Sequence, residues 1–158
     1  MERTILHVAI DSFPIQAERF RCPKLLGRPV ALWPAGSPRP RVAAVSREAR
    51  GAGVVPGTPL LVARRLCRDL VALPLDRDLY AGIGEEIFRR LSPFAPVVEA
   101  GGGVGTTPAG PGGGRFFLDL TGVARTHSEA LDRASRAGRA ERAPRAGAAT
   151  VRVLDRER

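Results

Sequence analysis

Carboxylates in two segments of this sequence have side-chain chemistry that could hold a divalent cation. Asp11 follows the first apolar segment of the chain, and Asp119 lies within the strand-like residues 116–121. Hard cations such as Mg²⁺ take oxygen ligands, and a carboxylate site needs side chains from more than one strand. Each residue also has a structural explanation: Asp11 as a turn or N-cap residue beside Ser12, and Asp119 as a capping carboxylate at a strand edge. We favour the structural explanation for both.

Arginines form the second group of candidate residues. Arg47 and Arg50 stand three positions apart in a short helical segment, and guanidinium groups bind phosphate oxygens through charge-assisted hydrogen bonds. An exposed basic helix face without a ligand explains the same pattern, and the two interpretations stay open. Arg64, Arg65 and Arg68 form another basic cluster, for which we favour a solvated helix face.

The remaining chemistry-bearing residues favour structural roles. The glycine-rich residues 101–114 lack the Gly-Lys-Ser/Thr ending of a phosphate-binding loop and precede a strand, so we expect a flexible hairpin loop. His7 lies in a buried strand pattern and is predicted to be a core histidine with satisfied hydrogen bonds, whereas His127 lies at an exposed helix start. Cys22 and Cys67 are predicted to be buried reduced thiols, and no Cys/His spacing supports zinc.

The overall charge indicates a polyanionic partner. The chain of 158 residues, enough for one domain or one domain plus a tail, has a net charge of +9 and a sequence pI of about 11.3. Nucleic acid is the first candidate partner and an acidic membrane surface the second. Lys24 is the only lysine, so arginine supplies nearly all of the positive charge, in part through the bias of a GC-rich genome. No apolar run is long enough to span a membrane and no secretion signal is evident, which predicts a cytoplasmic protein.

Hydrophobic periodicity predicts alternating strands and helices, which indicates an α+β or α/β class with a mixed sheet. The nearly continuous apolar run Thr4–Ile10 is typical of a central strand buried on both faces. A helix over residues 14–27 would place Ile15 and Phe20 near one face. Further strands are predicted at residues 29–33, 41–45, 70–73, 97–99, 116–121 and 151–154.

Capping signals place the other helices. A short helix follows residue 45 and ends near residues 51–53. Thr58 and Pro59 mark a helix start, with Thr58 as the N-cap and Pro59 as the first helical residue. Asp76 or Asp78 begins a helix that the prolines at 93 and 96 end. A capping box at residues 126–129 begins a last helix, and residues 138–149 are predicted to be disordered. The apolar face of the helix after Asp76 comprises Tyr80, Ile83, Ile87 and Leu91.

Several short motifs resemble, in order and spacing, the palm-and-fingers start of Y-family (UmuC/DinB-type) DNA polymerases. HVAIDSF at residues 7–13 resembles the family's opening H-V-D-x-D-x-F, and SREAR at residues 46–50 resembles its S/N-Y-E-A-R. LGRPV at residues 26–30 and PGTPL at residues 56–60 are similar to two neighbouring family segments. FLDLTG at residues 117–122 is similar to the strand after the family's second acidic motif. The resemblance covers residues 5–122 and does not extend past about residue 135.

The resemblance implies a metal site whose ligands are missing from this sequence. Polymerases of this family hold two metal ions with the first Asp of the D-x-D turn and an adjacent Asp-Glu pair. Ala9 stands at the first position, and Gly113 and Gly114 stand where the acidic pair would fall. Asp11 matches the second Asp, which is not the essential ligand, and Pro14 aligns with the aromatic residue that excludes ribonucleotides. The resemblance therefore predicts no catalytic residue and no metal ligand.

Arg47 and Arg50 are the site residues that the resemblance retains. In the family, the Tyr and Arg of the Y-E-A-R motif contact the phosphates of the incoming nucleotide. Arg50 matches that Arg, and Arg47 replaces the Tyr. The resemblance thus implies nucleotide or phosphate binding by these two residues.

The implied fold is α+β: a partial polymerase palm with a mixed β-sheet and flanking helices, plus a small fingers subdomain. We expect palm and fingers over residues 4–122 with the fingers at about 13–73, a palm helix at 123–137, and a divergent, disordered tail at 138–158. The family's thumb and DNA-gripping little finger have no counterpart in the sequence.

The implied function is that of a non-catalytic Y-family protein, similar to ImuB-like proteins, acting as an adaptor in DNA repair and translesion synthesis within the SOS response. The implied partners are DNA, bound weakly by this chain alone, and a replicative-type polymerase, a recombinase-like protein or a sliding clamp, with no membrane and no cofactor. One alternative is a working or partner-completed Mg²⁺-dependent DNA polymerase that uses Asp11 and Asp119. The other is a truncated fragment without function.

Overall fold

The computed structural model describes residues 4–101, 113–122 and 149–155. They belong to two compact units: the inserted unit, Ser12–Tyr80, and the flanking unit, drawn from Met1–Asp11 and Ala81–Arg158. The strands are β1 (Thr4–Ile10), β2 (Val30–Trp33), β3 (Ala44–Val45), β4 (Val71–Pro74), β5 (Val97–Gly101), β6 (Arg115–Asp119) and β7 (Ala149–Asp155). The helices are α1 (Phe13–Arg21), α2 (Arg47–Gly51), α3 (Leu60–Leu66) and α4 (Arg77–Leu91), with 3₁₀ turns at Pro23–Leu25 and Ser92–Phe94.

The flanking unit is built on a four-stranded sheet in the order β5-β6-β1-β7, with each neighbouring pair antiparallel. Side chains alternate between the two faces of a strand, and Phe116, Leu118 and Leu120 are buried as the sequence predicted. Their core also takes in apolar side chains of β1, β5 and α4. The partly buried members are Leu6, Val8, Ile10, Ile87, Phe88, Leu91, Ala95, Val98 and Ala100.

β1 is an interior strand, as predicted, with β6 on one side and β7 on the other. Every residue of β1 is half-buried, so the expectation of a strand buried on both faces is wrong. The reason is that an antiparallel sheet needs a packed layer on only one of its faces. The even-numbered residues of β1 pack in the core, whereas Ile5, His7 and Ala9 alternate to the other face.

β2 forms the centre of the three-stranded sheet of the inserted unit. It pairs antiparallel with β3 and parallel with β4, which is the mixed pairing expected of the α+β class. Beneath it lies a core of small and aliphatic side chains, against which Trp33, the only tryptophan of the chain, packs. The buried members are Ala31, Val42, Val45, Ala49, Val54, Leu60, Ala63 and Cys67.

Two details of the helix predictions are wrong. Ile15 is fully buried, whereas Phe20 is 81% exposed, because a five-residue step along an α-helix turns the side chain by about 140° to the opposite side. Pro59 has the extended angles φ −57° and ψ 137° and is the N-cap of α3, so Leu60 is the first helical residue. The Thr58 hydroxyl instead accepts a hydrogen bond from the Val55 N–H at 3.3 Å and closes the preceding turn.

The other predicted elements match with shifts at their ends. β3 is shorter than the strand predicted at residues 41–45, because Arg41 forms an isolated bridge with Pro59 instead. Asp76 is the cap at the start of α4, where its carboxylate accepts from the Leu79 N–H at 3.0 Å. β7 fits the strand predicted at residues 151–154 and lies inside the predicted tail.

Some predictions fall outside the described residues. These are most of the glycine-rich loop, at residues 102–112, the last helix with its capping box and His127, and residues 138–148 of the tail. Among the helices of the described residues, none is both long and apolar enough to cross a membrane.

Ser46 ties α2 to β2. Its hydroxyl oxygen accepts hydrogen bonds from the Val30 N–H at 3.0 Å and from the Ala49 N–H at 3.2 Å. The first bond joins the helix to the sheet, and the second is the N-cap of α2. Because Ser46 is fully buried, water cannot replace either bond, and loss of the hydroxyl would leave two backbone donors unsatisfied.

We therefore expect Ser46→Ala to lower the free energy of unfolding by about 2–4 kcal/mol, the sum of about 1 kcal/mol for a lost cap and about 1–3 kcal/mol for a buried unsatisfied donor. Urea titration followed by the fluorescence of Trp33 measures this change. Ser37→Ala is the matched control, since the Ser37 hydroxyl also accepts a backbone N–H but is exposed. Equal stability of the two variants would show that the buried hydroxyl has no special structural role.

Candidate nucleic-acid interface

α2 presents the two arginines that the sequence singled out. Arg47 and Arg50 are both exposed, and their three-residue spacing places them on one side of the helix. Ala49, which lies between them in sequence, is fully buried and fixes the opposite side of the helix in the core. The arrangement can present two guanidinium groups to a phosphate ligand.

A buried ion pair holds α2 against α1. The Arg19 guanidinium donates to the Glu48 carboxylate at 2.8 Å and to the Arg28 carbonyl at 3.3 Å. The Arg19 side chain is 3% exposed, so its charge depends on these partners. Glu48 lies between Arg47 and Arg50, and the ion pair therefore fixes the part of the backbone that carries both arginines. Nothing in the sequence pattern pointed to Arg19, because its partner lies 29 residues away.

The ionised form of Glu48 is stabilised in the folded protein. Burial opposes its ionisation, but hydrogen bonds from its own backbone N–H, from Ser46 and from Arg19 outweigh burial and lower the pKa of Glu48. The negative charge that neutralises Arg19 is therefore retained under mildly acidic conditions.

A second buried network fixes α1 within the inserted unit. Glu18 is 1% exposed and accepts hydrogen bonds from the Tyr80 hydroxyl at 2.8 Å and from the Arg21 guanidinium at 2.6 Å. Arg21 also donates to Asp76 at 2.7 Å. Burial, together with the Glu18 carboxylate, raises the pKa of Tyr80. The network keeps the phenol protonated as the donor that a buried carboxylate requires.

The position implied for the metal ligands contains groups that cannot bind a metal. In the register of β1 with β6, Ala9 lies opposite Arg115, and the Ile10 N–H donates to the carbonyl of Gly114 at 2.8 Å. A methyl group and a glycine offer no side-chain oxygen, and the guanidinium of Arg115 repels a cation. The residues present do not fit a divalent metal site. The sequence pattern did not single out Arg115. Counting back from Asp119 in steps of two residues would have placed Arg115 on the same face of β6 as Asp119.

The two carboxylates proposed for an alternative metal site lie at opposite ends of β1. Asp119 pairs with Ile5, whereas Asp11 follows Ile10. Five residues of strand separate those two ends by about 16 Å, and one ion with oxygen ligands at about 2–2.6 Å cannot bridge that gap. Asp119 instead accepts from the Thr121 N–H at 3.0 Å, the capping role that we favoured.

The remaining candidates have ordinary surroundings. Arg64, Arg65 and Arg68 are exposed, but only Arg64 and Arg65 lie on a helix face, because α3 ends at Leu66 and Arg68 lies in the turn that follows. Cys67 is buried and Cys22 only partly buried, and both are free thiols. The part of the chain that the structure describes contains no group of three or more His, Cys, Asp or Glu side chains arranged to hold a metal ion.

His7 and Phe117 form a stacked pair on the sheet of the flanking unit. They are cross-strand neighbours, with ring centroids 4.6 Å apart and an interplanar angle of 12°. His7 is half-buried beside this ring. It lies on the face opposite the apolar cluster and is not the core histidine that we predicted.

Comparison with known proteins identifies the family of the chain. The model of the impB/mucB/samB family matches residues 8–146. The chain belongs to that family. It is 32% identical over 136 residues to a DNA polymerase IV of Dehalococcoides mccartyi, covering 85% of this chain and 32% of that protein. It is also 42% identical over 100 residues to a DNA polymerase IV of Methanoculleus marisnigri, covering 61% of this chain and 28% of that protein.

Solved structures of Y-family polymerases share the fold. The crystal structure of DinB from Sulfolobus solfataricus superimposes with a TM-score of 0.74 at 20% identity, over 98% of this chain and 42% of that one. A post-insertion binary complex of Dbh DNA polymerase gives a TM-score of 0.74 at 21% identity, over 96% of this chain and 42% of that one. The predicted α+β class and the predicted family are thereby confirmed. The chain spans about a third of the length of its curated relatives in the impB/mucB/samB family.

The lowered pKa of Glu48 predicts a defined acid sensitivity. Ionised Glu48 stabilises the fold above its ordinary pKa of 4.5, and this contribution is lost as the pH falls through the lowered folded-state value. We expect Glu48→Gln to unfold at lower urea than the parent protein at pH 7 and to lose less stability on acidification. Urea titrations over a pH series measure both effects.

The matched control for this series is Glu85→Gln, a change of the same charge at an exposed position of α4. This variant should lose as much stability at low pH as the parent protein does. An equal loss of stability at low pH in Glu48→Gln and in the parent protein would contradict the assignment of the pKa shift to the Glu48 carboxyl.

Proposed function

We propose that this chain is a non-catalytic Y-family protein that acts in DNA repair and translesion synthesis as an adaptor for DNA and a polymerase partner. The observation that carries the proposal is the register of β1 and β6, which sets Ala9, at the position implied for the first carboxylate, opposite Arg115, the residue after the implied acidic pair at Gly113 and Gly114. Phosphoryl transfer in polymerases depends on divalent ions that neutralise developing charge. A methyl group and a guanidinium supply no ligand for such ions.

The retained arginines support binding without catalysis. α2 keeps Arg50, the residue that matches the phosphate-contacting Arg of the family motif, exposed on a helix that Ser46 and the Arg19–Glu48 pair hold in place. A net charge of +9 favours a polyanionic partner. Binding of duplex DNA by this chain alone would be weak and salt-sensitive. A replicative-type polymerase, a recombinase-like protein or a sliding clamp would be the protein partner, in a cytoplasmic damage response.

A second candidate function is Mg²⁺-dependent DNA polymerisation. The names of the relatives favour it, since the chain is similar to proteins called DNA polymerase IV. The separation of Asp11 from Asp119 along β1 opposes it, so a polymerase would need ligands from a partner or from other parts of the chain.

Primer extension separates the two candidates. We expect the purified protein to extend no primer in Mg²⁺ or Mn²⁺, because the implied metal positions carry Ala9, Gly113 and Gly114 and because Arg115 lies opposite Ala9. Incorporation of labelled nucleotide, with a Y-family polymerase as the positive control, measures this. Metal-dependent extension that copurifies with the chain through several columns would overturn the non-catalytic proposal.

Arg50→Ala tests the phosphate contact on α2. Because a charge-assisted hydrogen bond contributes about 1.5–3 kcal/mol, its loss should weaken binding of a primer-template or of a nucleoside triphosphate about tenfold or more. Fluorescence anisotropy measures the affinity. Arg65→Ala, an exposed arginine on α3, is the control. Equal affinities of the two variants would show that α2 is only a solvated basic face.

A further inference from the structure

α3 carries large apolar side chains on both of its sides. Leu60 and Ala63 are buried in the core of the inserted unit. On the other side of the helix, Leu61 is 76% exposed, Leu66 50% and Val62 42%. A surface helix of a globular protein normally has one apolar side toward the core and a polar side toward solvent. Because apolar residues that cluster at a surface mark interaction sites, the exposed side of α3 is a candidate for one.

An arginine lies at the centre of this exposed side. Successive residues of an α-helix are about 100° apart around its axis, so Arg65 lies between Leu61 and Val62, about 40° from the first and about 60° from the second. Leu66 lies about 40° beyond Val62. We call this surface the α3 face, defined by Leu61, Val62, Arg65 and Leu66. Arg65 is exposed, and among the described residues no ion pair involves it.

The charges next to the α3 face are mostly positive. Arg64 on the same helix and Arg68 in the turn that follows are both exposed, and Asp69 is the acidic residue beside them. Residues 60–69 thus carry three arginines and one carboxylate. The charge of this surface therefore complements an acidic partner, whereas its apolar side chains require a partner that is also apolar.

The position of Arg65 distinguishes the occupants that the α3 face could take. In a membrane, the leucines would enter the lipid with a cation between them, which is costly. In a contact of two copies across a two-fold axis, the same patch meets itself, so Arg65 at its centre would approach its own copy. Nucleic acid would pair with the arginine and leave the leucines in water. A helix that carries carboxylates beside apolar side chains satisfies both.

We propose that the α3 face binds an acidic amphipathic helix of a partner protein. Leu61 and Leu66 pack against the apolar side of that helix, and Arg65 pairs with one of its carboxylates. α3 is held in place before binding, since the Leu60 N–H at its start donates to the Pro40 carbonyl at 2.9 Å. The inference rests on the proposed adaptor function, for which it names the surface and the chemistry of the protein partner.

Fluorescence anisotropy of the full chain with labelled synthetic peptides tests the proposal. The probe is an amphipathic helix with leucine on one side and glutamate on the other, and two matched peptides carry lysine in place of glutamate or glutamine in place of leucine. The parent protein should bind the probe about tenfold more tightly than either matched peptide, because only the probe offers both apolar surface and carboxylates. Its affinity should fall with added salt, which screens the pairing with Arg65. Equal affinities for the three peptides would overturn the proposal.

Substitutions on the α3 face locate the binding site. Leu61→Gln should weaken binding of the probe about tenfold, and Arg65→Ala should weaken it and reduce its dependence on salt. Leu26→Gln is the matched control for the first change, because Leu26 is another exposed leucine of the inserted unit. Arg77→Ala is the control for the second, as an exposed arginine of the same unit. Since all four positions are exposed, circular dichroism should show every variant folded.

Equal affinities of Leu61→Gln and Leu26→Gln for the probe would show that the α3 face is not the binding site. Cosedimentation of the parent protein with phosphatidylglycerol vesicles that Leu61→Gln abolishes would make a membrane the occupant and overturn the proposal. A concentration-dependent dimer that Leu61→Gln dissociates would do the same in favour of a second copy. Metal-dependent primer extension with unchanged binding of the probe would overturn the proposed function alone. Loss of the preference for the probe in a protein that extends no primer would overturn this inference alone.

Discussion

The antiparallel pairing of β1 with β6 is the constraint on which the flanking unit depends. It sets Leu118 opposite Leu6, which directs the large apolar side chains of both strands into one core. The same register sets Ala9 opposite Arg115 on the other face. A slip of one residue would turn every side chain of one strand to the wrong face. The hydrophobic core therefore fixes which residues meet on the opposite face of the sheet, including Arg115 beside Ala9.

The inserted unit depends on a different kind of interaction. Its core is made of small and aliphatic side chains, and buried polar groups around α1 and α2 determine how the helices are held. Arg19 and Glu18 are almost fully buried, and each is matched by an oppositely charged partner. Removing Glu48 would leave the charge of Arg19 buried without its carboxylate partner, which is destabilising. The Arg19–Glu48 pair thereby holds α2, which carries Arg47 and Arg50, and the Ser46 hydroxyl connects α2 to β2.

The fold of the family is present in this chain, although the implied metal positions carry no carboxylate. Superposition on Y-family structures over nearly the whole chain depends on strand pairing and on the buried cluster. Neither Ala9 nor Arg115 belongs to that cluster, so the residue types at these two positions do not affect the core. The charge beside Ala9 is positive, however, and not negative as a pair of carboxylates would make it. A site of negative charge attracts divalent cations, whereas a guanidinium attracts phosphate directly.

The sequence by itself determined the family, most of the strands and helices, and the absence of a carboxylate at residue 9. These follow from local information: residue type, periodicity over a few positions, and the order of short motifs. The burial of Arg19 with Glu48 and the position of Arg115 opposite Ala9 were decided only by the tertiary structure. The latter pair is separated by more than 100 residues of chain, and no local pattern specifies which residues meet across a sheet. That register comes from packing both strands on one core, and it places Arg115 beside Ala9, the implied position of the first metal ligand.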